Sequence, residues 1–175
     1  ISLAGHQQRG EHAVMRVAVL SVHTSPLAML GGKETGGMNV YVRDLSRELS
    51  HRGLQLDIFT RDQDPRTPRV RELAPNARVI QLPAGPRAPY SKHEVFQHLP
   101  ELTEALVEFA KTEHIQYNLI HSHYWLSGWV AHELKKRWRV PFVHMFHTLG
   151  HMKNAVASSP QEMETEQRIA VEGQI

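Results

Sequence analysis

Continuous apolar runs alternate along this chain with segments whose apolar residues recur every three or four positions. The first run, RVAVLSV (16–22), is Val-rich and shows no polar alternation, the mark of a strand covered on both faces of a parallel sheet. From 38 onward Met38, Tyr41, Val42, Leu45 and Leu49 keep helical spacing, and Gly53 in SHRG supplies the stop. LQLDIFTR (54–61) reads as the second strand and ARVIQLPAG (77–85), ended by Pro83 and Gly85, as the third. Between them DQDPRTPRVRELAPN (62–76) carries three prolines and is expected to be a surface loop.

GPRAPYSKHE (85–94) is expected to be a second loop. Val95, Leu99, Leu102, Leu106 and Phe109 then mark one helical face, which Pro100 should either kink or restart. YNLIHSHYW (117–125) holds a fourth strand, followed by a helical stripe of Leu126, Trp129, Val130 and Leu134. PFVHMFHTLG (141–150) is the fifth strand, and a last helix is expected from Ser159 as N-cap and Pro160 as first residue. Strands alternating with helices predict an α/β fold, a doubly wound parallel sheet with right-handed crossovers. In such sheets ligands bind beyond the carboxyl ends of the strands, where strand order reverses.

Composition narrows this picture only a little. The 175 residues suffice for one domain with a real core, and 41% hydrophobic with 22% charged is ordinary for a globular chain. Lys plus Arg is 20 against 18 Asp plus Glu, so no charge excess argues for nucleic acid. The absence of Cys excludes disulfides and thiolate metal ligands and fits a cytoplasmic setting. No apolar run nears the roughly 20 residues of a membrane span, and no signal peptide is visible. Residues 1–14 are polar and mixed and are expected to form a disordered extension before Met15, where MRVAVLSV opens. The chain stops within a helical pattern with no closing strand, so it is expected either to be a fragment or to take what comes next from a partner.

Chemistry-bearing residues gather at the expected strand ends. LGGKETGGMNVYV (30–42) runs a loop of four glycines into a helix start, where free N–H groups and the helix dipole favour anions. It is neither a Walker A loop nor a G-x-G-x-x-G fingerprint, so it is either a ligand contact or a turn that caps a helix. Of 13 histidines, His23, His121, His123, His144, His147 and His151 lie near strand ends. No metal is assigned to them: His144 and His147 should face opposite sides of a strand, and His121 and His123 have no Asp or Glu nearby in sequence. His23 and His147, each followed by Thr, are the better site candidates. Lys92 and Arg168 could hold a phosphate if the fold brought them to one mouth. ELKKRWR (133–139) reads as a solvated helix face, with a membrane surface the weaker alternative.

Taken together, HTSPL, GGMNVYVRDLSRELSHRG, DIFTR, LIHSHYWLSG and VPFVHMFHTLG resemble, in order and spacing, the N-terminal half of retaining GT-B glycosyltransferases of family 4. The likeness runs from Met15 to the end. Within the family it points to the D-inositol-3-phosphate glycosyltransferases of mycothiol biosynthesis, then to sucrose-phosphate synthases and sucrose synthases. It implies that 15–175 is a Rossmann-like acceptor-binding domain, the first half of a GT-B fold whose second domain would hold most of a nucleotide-sugar, a UDP-sugar by preference. No tightly bound cofactor is implied, and this chain alone is expected to be inactive. Matched position by position, His23, Asn39, Lys92, Tyr124, Thr148 and Arg168 would contact a phosphorylated polyol or sugar acceptor. Gly36 and Gly37 would face the donor diphosphate, and His147 would touch the donor sugar near the reacting carbon. Glu34 departs from the Asp usual in the mycothiol enzymes, and Met38 replaces the Gln usual in the sucrose branch. The alternatives are a sucrose-phosphate-synthase-like enzyme, a phosphatidylinositol-type glycosyltransferase, or a non-catalytic Rossmann-like binding module.

Overall fold

A computed structural model describes residues 14–28, 36–89 and 91–175. Except for Val14, the expected N-terminal extension lies outside the described residues, as does Glu34. The strands are β1 (Arg16–Leu20), β2 (Gln55–Arg61), β3 (Val70–Ala74), β4 (Ala77–Leu82), β5 (Leu119–His123) and β6 (Phe142–Met145). The helices are α1 (Gly37–His51), α2 (Lys92–Val95), α3 (Leu99–Thr112), α4 (Tyr124–Trp138), α5 (Gly150–Ala155) and α6 (Glu166–Glu172). One sheet runs in the order β3-β4-β2-β1-β5-β6, parallel except for the antiparallel pairing of β3 with β4.

The buried Val-rich runs explain the sheet. Successive residues of β1 point to opposite faces. Val17 and Val19 join Val42, Leu56, Ile58 and Val79 beneath α1. Ala18 and Leu20 join Leu99, Leu102 and Leu106 of α3 and Leu126, Val130 and Leu134 of α4 on the other side. Helices therefore cover both faces, as the sequence pattern predicts. Strand order reverses at β1: the chain winds outward through β2 and β4, then crosses back to β5 and β6. The crevice between the carboxyl ends of β1 and β5 is thus the switch point of the sheet.

Four expectations are corrected. The stretch 62–76 is not all loop, because β3 lies within it. As an edge strand with its first three residues exposed, β3 has no apolar alternation to betray it. Lys92 is not a loop residue but opens α2, where Ser91 and Glu94 form a reciprocal capping box. The fifth strand ends at Met145, and His147 adopts a left-handed φ of 60°, so the opposite-face argument for His144 and His147 does not apply. The last helical pattern is broken up: α5 precedes it, Ser159 caps only a 3-10 turn at Pro160–Glu162, and α6 starts after Thr165.

Elsewhere expectation and structure agree. Pro100 restarts a helix at the beginning of α3, after the 3-10 turn Phe96–His98. Gly53 follows α1 with φ 88°, a conformation that suits glycine. In the basic run Lys136 pairs with Glu133 at 2.7 Å, Arg137 with Glu104 at 2.6 Å, and Lys135 lies over the Phe142 ring. No helix among the described residues is long and apolar enough to cross a membrane.

Leu106 is completely buried between α3 and the sheet. Replacing it with Ala should destabilise the chain by about 2–5 kcal/mol through lost transfer energy and a residual cavity. A urea midpoint lowered at nearly constant slope is the expected observation.

Candidate functional site

Each strand end at the switch point delivers its functional side chain by a specific local device. Beyond β1 the chain turns through His23 and Thr24, held by Ser21 Oγ donating to the Thr24 carbonyl at 2.8 Å. At the end of β5 it passes straight into α4 through Tyr124, which carries a left-handed φ of 74°. A non-glycine residue held there costs roughly 1–3 kcal/mol and persists where surrounding contacts over-determine it. His147 stores a second such strain at the exit of β6. A fully buried Arg61 donates to the carbonyls of Pro86 and Ala88 at 2.8 and 2.7 Å, pinning the loop that leads to Lys92.

These devices converge on Arg168. Its side chain is fully buried and makes four hydrogen bonds and two ion pairs. Nε donates to Glu172 at 2.7 Å. One terminal nitrogen donates to the Tyr124 hydroxyl at 2.9 Å and forms an ion pair with Glu164 Oε1, also at 2.9 Å. The other donates to the Thr148 carbonyl at 2.7 Å and to the Thr148 hydroxyl at 3.0 Å. The guanidinium also lies 4.7 Å over the Tyr124 ring, whose other near neighbours are the His23 ring at 4.7 Å and Lys92 Nζ at 5.8 Å. Gly150 lets this packing close: a Cβ there would come within 3.3 Å of the Arg168 side chain.

Lys92 and Arg168 therefore do reach one place, and Glu164 bridges them. Glu164 Oε1 lies 3.5 Å from Lys92 Nζ and also receives Lys153 Nζ. Burial opposes charge on Glu164, but Lys153, Arg168 and Lys92 outweigh it and hold the carboxyl at about 2. Burial likewise opposes charge on Lys92, yet Tyr124 and Glu164 raise its pKa. A cavity of about 480 Å³, lined by Lys92, Lys153 and Glu164 among others, opens on this cluster. An apolar hollow of about 520 Å³ adjoins it, walled by Phe146, His147, Thr148, Leu149, Met152, Lys153 and Val156.

A second group, of histidines, sits at the ends of β5 and β6. His123 Nδ1 is 3.0 Å from His147 Nε2, and Ser122 Oγ is 2.8 Å from His144 Nδ1. His123 is fully buried and its Nε2 has no partner among the described residues. Placing the His123 proton on Nδ1, donated to His147, leaves an acceptor and not a donor orphaned at Nε2. In that tautomer His147 carries its own proton on Nδ1. The Tyr41 ring of α1 packs edge-on against His147 at 5.5 Å and His123 at 5.8 Å, bringing the first turns of α1 to this group.

Gly36 and Gly37 open that helix. Gly36 is extended at φ −135°, and among the described residues nothing lies within 4 Å of a Cβ built on either glycine. Among the described residues nothing in the packing demands glycine at these positions. Asn39 is buried in the same turn with Oδ1 accepting from the Thr24 hydroxyl at 3.0 Å, and its Nδ2 has no partner among the described residues. Its partner is thus Thr24 and not the cationic cluster, the one expected acceptor contact that stands outside it. No group of three or more metal-ligating side chains forms among the described residues.

A model of the glycosyl transferase 4-like domain matches residues 36–174. The chain belongs to this family. It is 44% identical over 161 residues to a D-inositol 3-phosphate glycosyltransferase of Corynebacterium diphtheriae, covering 92% of this chain and 38% of that protein. A protein of the same description from Saccharomonospora viridis is 43% identical, over 91% of this chain and 37% of its own length. The chain thus spans less than two-fifths of these relatives. Among solved structures, sucrose-phosphate synthase from Thermosynechococcus elongatus matches with TM-score 0.86 at 38% identity, over 91% of this chain and 39% of that one. This likeness to a GT-B glycosyltransferase agrees with the Rossmann-like fold expected from the sequence.

Glu164, Lys153 and Glu172 escape the sequence reading. A signal for two of them exists: Glu164 and Glu172 stand four residues before and after Arg168, the spacing at which helical neighbours pair. Lys153 has no such signal, because α5 and α6 meet only in the folded chain.

The histidines of this edge make a pH prediction. Burial first, then neighbouring positive charge, holds His123 at about 2, His23 at about 3 and His144 at about 4, all below the usual 6.5. Between those values and 6.5 the unfolded chain binds protons that the native chain does not. Stability therefore rises with pH over this range and levels off above it. Below 4.5 Glu164, lowered to about 2, acts in the same direction. Denaturant titrations from pH 7 to 4 should show a slope near 1.4 kcal/mol per pH unit for each such histidine. His144→Gln should flatten that slope by one proton, measured as the pH dependence of the unfolding free energy.

Proposed function

We propose that this chain is the acceptor-binding domain of a retaining glycosyltransferase that moves a sugar from a nucleotide-sugar, a UDP-sugar by preference, to an inositol-phosphate or sugar-phosphate acceptor. The observation that carries this reading is the convergence of Lys92, Tyr124, Thr148 and Arg168 within one network at the switch point of the sheet. Two cations with two hydroxyl groups beside them suit a phosphate dianion, which accepts charge-assisted hydrogen bonds on three oxygens. The names of the relatives supply the acceptor class, D-inositol 3-phosphate.

In this reading His23 stacks beside Tyr124 at the floor of the acceptor site, and Asn39 orients the polyol from α1. The backbone of Gly36 and Gly37 lies against the donor diphosphate, at a helix start that favours anions. His147, fixed by His123, offers its Nδ1–H toward the donor sugar and is the catalytic candidate. A retaining transfer of this kind brings the acceptor hydroxyl to the face from which the leaving group departs. Holding both partners close and stabilising the developing charge is then most of the catalytic task. Most donor contacts belong to a second domain in the GT-B pattern, so the chain alone binds acceptor and transfers no sugar.

The TM-score of 0.86 to sucrose-phosphate synthase supports a second reading, in which the acceptor is a sugar phosphate. Titrating inositol 3-phosphate and fructose 6-phosphate into the folded chain separates the two. Binding of inositol 3-phosphate is expected, and Lys92→Met should weaken it roughly ten- to hundredfold, the loss of one hydrogen bond to a charged group. No heat and no chemical-shift change with either phosphate, from a sample shown to be folded, would sink the proposal.

A further inference from the structure

The cationic cluster is closed in this structure, and the group that closes it is an anion of the chain itself. Glu164 is 7% exposed, and its Oε1 alone serves Lys92, Lys153 and Arg168. Oε2 is buried with no partner among the described residues. One oxygen serving three cations while its twin serves none is a poor match, and Lys92 is left at 3.5 Å. A phosphate would offer three oxygens to the same three cations.

We propose that Glu164 is a specificity-determining residue of the acceptor site, an internal counter-anion that only an incoming phosphate dianion displaces with gain. This rests on the reading of the cluster as the acceptor's phosphate site. Four of the five Arg168 N–H groups are tied to Glu172, Tyr124 and Thr148. Glu164 pairs with the same guanidinium at 2.9 Å, so that side chain is the one that must withdraw for a ligand to reach it. It can do so without backbone movement. The Glu164 N–H donates to Asn154 Oδ1 at 2.6 Å and its carbonyl accepts from Asn154 Nδ2 at 3.1 Å, so the main chain is anchored while the side chain borders the cavity of about 480 Å³.

Charge makes the exchange selective. With Glu164 in place, Lys92, Lys153 and Arg168 face two carboxylates, those of Glu164 and Glu172. A neutral polyol cannot replace the lost anion, and burying cations without one is costly. A ligand carboxylate would exchange one negative charge for another. A phosphate dianion adds a charge and a further acceptor oxygen. Glu164 thereby sets a threshold that phosphorylated acceptors cross and carboxylated or neutral ones do not.

The test is calorimetric titration of the wild-type chain and Glu164→Gln with inositol 3-phosphate, myo-inositol and glucuronate at pH 8, where phosphate is a dianion. The amide keeps the shape of the side chain and removes its charge. The wild type should bind inositol 3-phosphate and not glucuronate. Glu164→Gln should bind inositol 3-phosphate at least about tenfold more tightly and gain binding of glucuronate. Equal or weaker phosphate binding by a folded Glu164→Gln overturns the role of Glu164 and leaves the phosphate site standing. Absence of inositol 3-phosphate binding in both proteins overturns the site and the role together. Should Glu164→Gln not fold, the carboxyl carbon resonance of Glu164 in the wild type decides. Its shift on adding inorganic phosphate supports displacement, and constancy while phosphate binds overturns it.

Discussion

Arg168 is permanently charged and fully withdrawn from water, so each of its five N–H groups must find an acceptor inside the protein. That requirement draws together pieces of chain that the sheet only brings near one another. Tyr124 comes from the β5–α4 junction, Thr148 from the turn after β6, Glu164 from the approach to α6 and Glu172 from its end. Glu172 extends the tie, because its second oxygen accepts from the Gly150 N–H at the start of α5. The carboxyl edge of the sheet is thus organised around one guanidinium, and the loops that carry the acceptor-site candidates owe their mutual placement to it.

The same edge stores strain and keeps its histidines neutral. Tyr124 and His147 hold left-handed backbone conformations that neither residue prefers, each where a strand gives way to the next segment. His123, buried beneath both groups, orients His147 through a single hydrogen bond. Cationic cluster and histidine group lie side by side with different characters. One is saturated with charge and closed by its own carboxylate. The other is a set of uncharged rings that pass a fixed tautomer outward. In a glycosyl transfer the first would suit a phosphorylated acceptor and the second a donor sugar, which is the division of labour proposed above.

Much of the framework was legible without coordinates, because burial on two faces leaves strong traces. The Val-rich β1, the helical stripe of α1 and the restart at Pro100 follow from patterns that water imposes on any such sheet. β3 was not legible, since an exposed edge strand obeys no apolar pattern. The division of the C-terminal segment into α5, a 3-10 turn and α6 was hidden for a similar reason. These pieces are short and mostly exposed, and they are held by Asn154, Thr165 and Glu172 through hydrogen bonds and not by an apolar stripe.

For the site the line falls between residue type and residue state. The sequence by itself determined which groups were available: His23, Asn39, Lys92, Tyr124, Thr148, Arg168 and His147, and the glycines that open α1. Their chemistry is local, and their motifs survive as strings of letters. Only the tertiary structure decided that Lys92 and Arg168 meet, that Arg168 is buried between two carboxylates, that His147 hangs from His123, and that Asn39 is held by Thr24. It also brought Glu164 to Lys92 and Lys153, which its spacing from Arg168 does not announce. Charge pairing between distant segments depends on distance and burial, and both come into existence only when the sheet closes.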